Sequence, residues 1–501
     1  MDMNGLDFDL VVVGGGPGGA AVATFVALRG HRVLLLEREH FPRYSIGESL
    51  LPGTVHGVCR LLGVREEIEQ ANFVRKYGGT WRWGREAALW SFFFSENEEL
   101  HKQNFDYAFQ VERARFDEIL LQNARRKGVD VREGHEVLDV LQEGGRTSGV
   151  RFVDEAGETH QARARFVADA SGHRSRMARV AGERINSKFF RNVALFGYFH
   201  GAKRRPPPRQ GDILCAAFDV GWFWFIPLSD TLTSVGAVID ARRAELIQGD
   251  RERALASLIR RCPVVADLLS EATRVTEGMY GTLRVRGDYS YCNTQFFSPG
   301  LVLVGDSACF VDPVFSTGVH LATYAALLAA RSINTCLEAD IDEARAFGEF
   351  QHRYLLEFQN IYDFLLVIYD MNQDSKSYFW EARRILNTAE ADNEAFVRLV
   401  AGFGTSGQDF FARRAGLGTQ VEARMPRHFY SPRSNAPRPT RAGGGNYGDY
   451  LEDQMRRNAF GAEKLSLATG VPFAHAPVRA GGLIVSTDGL SWVEPAFNGA
   501  N

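Results

Sequence analysis

The sequence predicts an α/β protein with three parts: a Rossmann-type dinucleotide-binding domain, a β-sheet domain on the substrate side, and a helical C-terminal region. Three observations carry this reading. The chain opens on an apolar run, a glycine-rich turn and a second apolar run that ends in an acid. Its middle holds aromatic segments that read as strands, such as Gly221 to Leu228, "GWFWFIPL". From about residue 341, apolar residues recur at spacings of three and four, the period of an amphipathic helix.

The opening run, Phe8 to Val13, reads as a short buried strand. Gly14, Gly16 and Gly19 then give G-x-G-x-x-G, a helix follows to about Arg29, and Gly30 closes it. A second strand, Arg32 to Leu36, ends in Glu37. The glycines permit a tight turn, close approach of a pyrophosphate and close helix–strand packing, and the helix N-terminus presents N–H donors to phosphate. Glu37 stands where it can accept hydrogen bonds from ribose hydroxyls. The glycine pattern alone is a weak signal; with strand, helix, strand and terminal acid in order it is a strong one.

A chain of 501 residues is too long for one core, so two or three domains are expected. A net charge of −3 argues against a nucleic-acid binder. The six cysteines are scattered without a C-x-x-C pair, which fits reduced thiols in a cytoplasm and no metal site. The acidic start, "MDMNGLDFDL", is not a signal peptide. Pro313 to Ala330 lacks Asp, Glu, Lys and Arg, yet its Ser, Thr, His and Tyr favour a buried helix over a membrane span.

Within "GWFWFIPL", side chains two apart share a face of a strand, so Trp222 and Trp224 form one wall and Phe223 and Phe225 the other. Pro227, with no N–H to donate, ends the ladder. A core strand would show the same composition. Lys76, in "NFVRKYGGTWRWG", would by itself be read as surface.

Three further segments resemble the signatures of flavoproteins of the p-hydroxybenzoate hydroxylase type: "YAFQVERARFDEILLQNA", with Arg113 and Asp117; "FVADASGHRSR"; and "GLVLVGDSACFVDPVFSTGVH", with Asp306, Pro313 and Gly318. That resemblance implies FAD, with Asp306 on the ribityl chain and the segment through Pro313 against the flavin. The helix after it turns a positive end toward the pyrimidine ring, which stabilises negative charge on a reduced flavin. One dinucleotide fingerprint implies no separate NADPH domain.

Set in such a flavoprotein, the W-x-W-x-I-P strand resembles the flavin-dependent halogenases, in which the indole wall partitions flavin from substrate. Lys76 matches that family's catalytic lysine, and "SIGESLLPGT", with Glu48, matches its flavin-facing loop. Nearly all of residues 6 to 400 resembles the halogenases that chlorinate phenolic, tyrosyl-type rings in natural-product biosynthesis. The chain departs from the tryptophan-acting members at Phe315, where those carry a glutamate; this puts free tryptophan in doubt as substrate. The resemblance implies that reduced FAD, O2 and chloride yield hypochlorous acid, with Thr317 and Gly318 as the halide site and Lys76 delivering the oxidant. It also implies a separate flavin reductase and a substrate tethered to a peptidyl carrier protein. The alternative is an FAD-dependent aromatic hydroxylase on the same scaffold.

The pieces are expected to fall as follows: FAD-binding domain, 1–75, 105–180 and 290–340; substrate-side sheet, 76–104 and 190–289; helical region, 341–430; linker, 431–449; tail, 450–501. His56 and His320 are read as structural. The loop "GAKRRPPPRQG", with Lys203, Arg204, Arg205 and Arg209, is expected to be a solvated turn or an extended basic dock for an acidic carrier.

Overall fold

The computed structural model describes residues 6–83, 88–187, 189–287, 290–370, 397, 399–403, 477–479 and 481–495. Its first sheet is built on five parallel strands, Leu301–Leu303, Thr159–Asp169, Phe8–Val13, Val33–Leu36 and Asp130–Arg132. Phe297–Ser298 adds an antiparallel edge, and Glu136–Glu143 with Arg146–Val153 form an antiparallel extension on Thr159–Asp169. The inner strands are continuous apolar runs because a parallel sheet is covered on both faces. The helix Pro17–Ala27 is buried almost throughout, and it packs on the helices Arg113–Arg126 and Gly318–Glu338. The latter is the buried helix expected from the charge-free stretch. Among the described residues no helix is long and apolar enough to cross a membrane.

The second sheet runs Thr273–Arg274, Asn192–His200, Leu232–Asp240, Gly221–Pro227, Ile213–Phe218, Gly78–Arg82, Trp90–Phe93, with Arg284–Gly287 also on Asn192–His200. The strand Gly221–Pro227 divides its side chains as its alternation predicts. Trp222 and Trp224 enter the core shared with the first sheet, while Phe223 and Phe225 enter a separate core with Leu255 and Leu258 of the helix Arg251–Arg260. Gly236 lies opposite Trp224 in the ladder, and a Cβ there would stand 2.2 Å from the indole. The wall therefore lies flat because its neighbour has no side chain.

One boundary moves. Lys76 was expected to open the substrate-side sheet. It instead ends a two-stranded ribbon, Val74–Lys76 with Ala108–Gln110, and the sheet starts at Gly78. Tyr77 between them turns the chain from one ladder to the other.

The helices Gly318–Glu338 and Glu343–Asp370 pack together. The expected linker at 431–449 lies outside the described residues, as does most of the region after 370. The tail, which carried no signal, contributes a small hairpin, Ile484–Val485 with Trp492–Val493. Trp492 is buried against those helices: its Nε1 donates to Ser332 Oγ at 2.9 Å, and the Arg331 and Arg353 guanidinium groups lie 5.0 and 4.8 Å from its ring centre.

Candidate active site

The nucleotide end is made mostly of backbone. Gly14 takes φ +99° and a Cβ on it would meet Ala170 O at 2.6 Å; a Cβ on Gly19 would fall 1.8 Å from Gly14 O. Gly16 differs, for its Cβ would meet only Arg43 Nη2 at 3.4 Å. Two glycines thus close the turn, and the third keeps open the side a pyrophosphate would approach. Glu37 accepts from Gly15 N at 2.6 Å and Glu39 N at 2.9 Å, which fixes the carboxylate at the end of its strand. Asp306 sits in the turn Gly305–Ser307, 3.5 Å from Arg286, with its backbone carbonyl accepting from Tyr291. These residues fit FAD as the sequence proposes.

Arg113, expected to bind the cofactor, holds Asp117 at 2.7 and 2.9 Å, the Ile46 carbonyl, and the Gly47 carbonyl at 3.3 Å. It is buried and pins the loop that carries Glu48, Ser49 and Leu50. Glu48, on the loop expected to face the flavin, turns its carboxyl to the second sheet, where Tyr198 donates to it at 2.7 Å. Burial pushes that carboxyl up to about 7, opposed by hydrogen bonds from Ser234 and Tyr198 and by the charge of Arg113.

Lys76 is 3% exposed. Its Nζ donates to Ser49 Oγ at 2.9 Å and to Leu50 O at 3.0 Å, and it lies 5.7 Å from the centre of the Phe94 ring. Burial lowers its pKa to about 8, opposed by the charge of Asp212. A lysine kept inside, near neutrality and held by two acceptors is not a surface residue.

Both indoles are tied at their N–H. Trp222 Nε1 donates to Tyr369 OH at 2.6 Å, and that hydroxyl acts as donor to the buried Asp312 carboxylate. Trp224 Nε1 donates to Ser234 Oγ at 3.1 Å, and that hydroxyl acts as donor to Glu48. An indole can only donate and a hydroxyl has one proton. Each carboxylate therefore takes the hydroxyl proton and leaves a lone pair for the indole. Asn192 Nδ2 donates to Asp312 at 2.8 Å, and burial pushes this carboxyl up to about 6.

Asp312 also accepts from Val314 N at 3.2 Å, so the Tyr369 pair reaches the segment expected to lie against the flavin. Phe315 stacks on Phe364 at 5.1 Å. Ser316 holds a left-handed φ of +61°, strain in a non-glycine residue at the entry to the helix Gly318–Glu338. Thr317 precedes that helix, buried, with its Oγ1 lacking a hydrogen-bond partner. His56 stacks on Phe105 and bonds the Tyr107 carbonyl; His320 lies 3.1 Å from Glu357.

A profile of the family described as tryptophan halogenase matches residues 9–105 and 95–433. The chain belongs to this family of flavin-dependent halogenases. It is 51% identical to the myxobacterial chondrochloren halogenase CndH, described as a variant of FAD-dependent halogenases, with 97% of this chain and 99% of that one covered at a TM-score of 0.74. A tryptophan 2-halogenase of Chondromyces crocatus is 36% identical, over 78% of this chain and 75% of its own. A 1H-pyrrole-2-carbonyl-[peptidyl-carrier protein] chlorinase of Pseudomonas fluorescens is 29% identical, over 74% of this chain and 85% of its own. These relatives place the chain among halogenases rather than aromatic hydroxylases.

The basic loop is a turn at residues 206–210, as one of its two expectations had it, and not an extended polyproline segment. Arg204 is spent on the carbonyls of Ala202 and Ser229, Arg205 reaches inward to Thr80, and Arg209 lies 4.0 Å from the centre of the Phe93 ring. Lys203 pairs with Asp267 at 3.1 Å. The cluster braces the sheet and does not present a common basic face. Sequence reasoning missed Tyr369, Ser234, Asp312 and Asp212. Asp312 stood inside the segment expected to lie against the flavin.

Proposed function

We propose that the protein is a reduced-FAD-dependent halogenase that chlorinates a phenolic, tyrosyl-type ring carried on a peptidyl carrier protein, with Lys76 as the catalytic amine. The buried, hydrogen-bonded Lys76 carries this reading. Gly14, Gly16, Gly19 and the N-terminus of the helix Pro17–Ala27 would receive the pyrophosphate, Glu37 the ribose and Asp306 the ribityl chain. Bound reduced FAD, supplied by a separate reductase, provides with O2 the two-electron oxidation of chloride to hypochlorous acid.

Thr317 and Gly318, at the start of a 21-residue helix, offer N–H groups that suit chloride. Trp222 and Trp224, fixed by their N–H groups, keep the aromatic substrate from the flavin side. Lys76 then holds the oxidant in one of two ways. Its ammonium donates a hydrogen bond to hypochlorous acid, or its amine takes the chlorine and releases water. Either way the ring attacks the chlorine and loses a proton. With a pKa of about 8, roughly a tenth of Lys76 is free amine at neutral pH, so both forms are populated. With Phe315 in place of a glutamate, a phenol suits the site better than tryptophan, because its oxygen already activates the ring. The carrier-acting pyrrole relative supports a tethered substrate.

The test uses purified protein, FAD, a flavin reductase, NADH and tyrosine, free or loaded on a carrier, with chloride, bromide or neither. Halogenated product should require halide and reductase and favour the loaded form. Equal turnover of both forms removes the tether, and product from Lys76→Ala at the wild-type rate removes the lysine.

A further inference from the structure

Lys76 has a buried acidic neighbour, Asp212, which it shares with Arg209. Asp212 precedes the strand Ile213–Phe218, which runs parallel to Gly78–Arg82 with Ile213 opposite Gly79. That register sets Asp212 beside Gly78, two residues past Lys76. The contact is close in the backbone as well: a Cβ on Gly211 would stand 1.9 Å from the Arg75 carbonyl.

Asp212 is 2% exposed, and neither carboxylate oxygen has a side-chain hydrogen-bond partner. A buried carboxylate in this condition is costly unless an opposite charge balances it. Three cations face it: Arg209, Lys76 and Arg205. The Arg209 guanidinium, seated on Phe93, pairs with it at 3.7 Å from the loop side and is the largest opposing charge. Arg205 is spent on Thr80. Toward the interior the remaining cation is Lys76. Around Lys76, the Ser49 hydroxyl, the Leu50 carbonyl, the Phe94 ring and the Cys215 thiol are uncharged partners, the thiol because burial raises its pKa far above neutrality. Asp212 and Lys76 act on each other in the expected sense: the carboxylate holds the amine up, and the ammonium holds the carboxyl down.

We propose that Asp212 is the positioning carboxylate of Lys76, a buried charge beside the lysine that balances its ammonium. The proposal rests on Lys76 as the catalytic amine. Asp212 touches neither oxidant nor ring; it acts through the lysine.

Asp212→Asn keeps the size and burial of the side chain and removes its charge. Competitive labelling with acetic anhydride from about pH 6 to about pH 10, with Lys76 acetylation read by peptide mass spectrometry, reports the free amine without reference to catalysis. Lys76 of Asp212→Asn should label at lower pH than in the wild type. The pH profile of halogenation should move the same way, with turnover at a fixed pH changed about tenfold. Asp212→Glu should keep both curves near those of the wild type, which a merely structural role would not require. An unmoved labelling curve in Asp212→Asn overturns the proposal. A halogenating Lys76→Ala overturns the catalytic reading separately, since the labelling curve still shows whether the pair exists.

Discussion

At the nucleotide end, the groups that would meet a ligand are mostly backbone, delivered by one stretch of chain from Gly14 to Glu37 and closed by two glycines with no room for a Cβ. At the indole wall, every working group is a side chain, and all but the nearby Ser234 are reached from far away: Tyr369 reaches Trp222 across 147 residues, and Tyr198 reaches Glu48 across 150. The first region owes its shape to local sterics. The second owes its shape to tertiary pairing, and its parts are held through one another. Damage should therefore stay local at the first and propagate through hydroxyls and carboxylates at the second.

The largest expected effect is at Lys76. Lys76→Ala should lower halogenation about a thousandfold while flavin fluorescence titration shows FAD binding unchanged. Lys76→Arg should fail equally if the free amine is the working form, because a guanidinium stays protonated. Product chromatography and flavin binding together read this split; parallel loss of both would blur the two regions into one.

Next come the glycines. Gly19→Ala should cost several-fold in soluble yield and abolish flavin retention, since its Cβ would overlap Gly14 O. Gly16→Ala should fold normally and weaken FAD by about tenfold, a loss of about 1.4 kcal/mol. A folded, flavin-tight Gly19→Ala would contradict the steric account.

At the wall, Tyr369→Phe leaves the Trp222 N–H and the Asp312 carboxylate each short of a partner. It should cost about 1–3 kcal/mol in a urea titration and release more hypochlorous acid to a solution trap. The double variant with Trp222→Phe should be less destabilised than the sum, by about 1 kcal/mol. Additive losses would show that the two residues do not act as a unit.

The acid at the second tie gives a smaller, pH-dependent effect. Glu48 holds its proton up to about 7, against an ordinary value of 4.5. Its raised pKa adds stability below the ordinary value, and that contribution is lost as pH rises through 7. Glu48→Gln should therefore gain on the wild type at about pH 8 by up to about 3 kcal/mol, and the gain should shrink toward about pH 4. Urea midpoints at the two pH values read it. The smallest effect belongs to Lys203→Ser, which should change turnover on a loaded carrier less than about twofold, since exposed ion pairs contribute little.

The same contrast explains what could be read from the chain itself. The turn at Gly14–Gly19 and the alternation in Trp222–Phe225 follow from spacing, because local geometry decides them. Lys76 was legible only by resemblance; its burial depends on a ribbon with Ala108–Gln110 and a loop pinned by Arg113. Asp212 sits in a loop that reads as solvated, and only the parallel pairing with Gly78–Arg82 turns it inward. Arg205 and Arg209 misled for the same reason: a run of basic residues carries no mark of which side chains find an interior partner.

The hairpin around Trp492 has a consequence in time rather than space. Arg353 Nη2 donates to the Leu483 carbonyl, 130 residues later in the chain, and Arg331 Nε to the Gly489 carbonyl, 158 residues later. During synthesis, at about 5–20 residues per second, the two long helices are complete on the order of ten seconds before these carbonyls and the Trp492 ring exist. The helices that back the whole site must spend that interval without part of their own core. Residues made later in the chain thus decide when helices made earlier are finished.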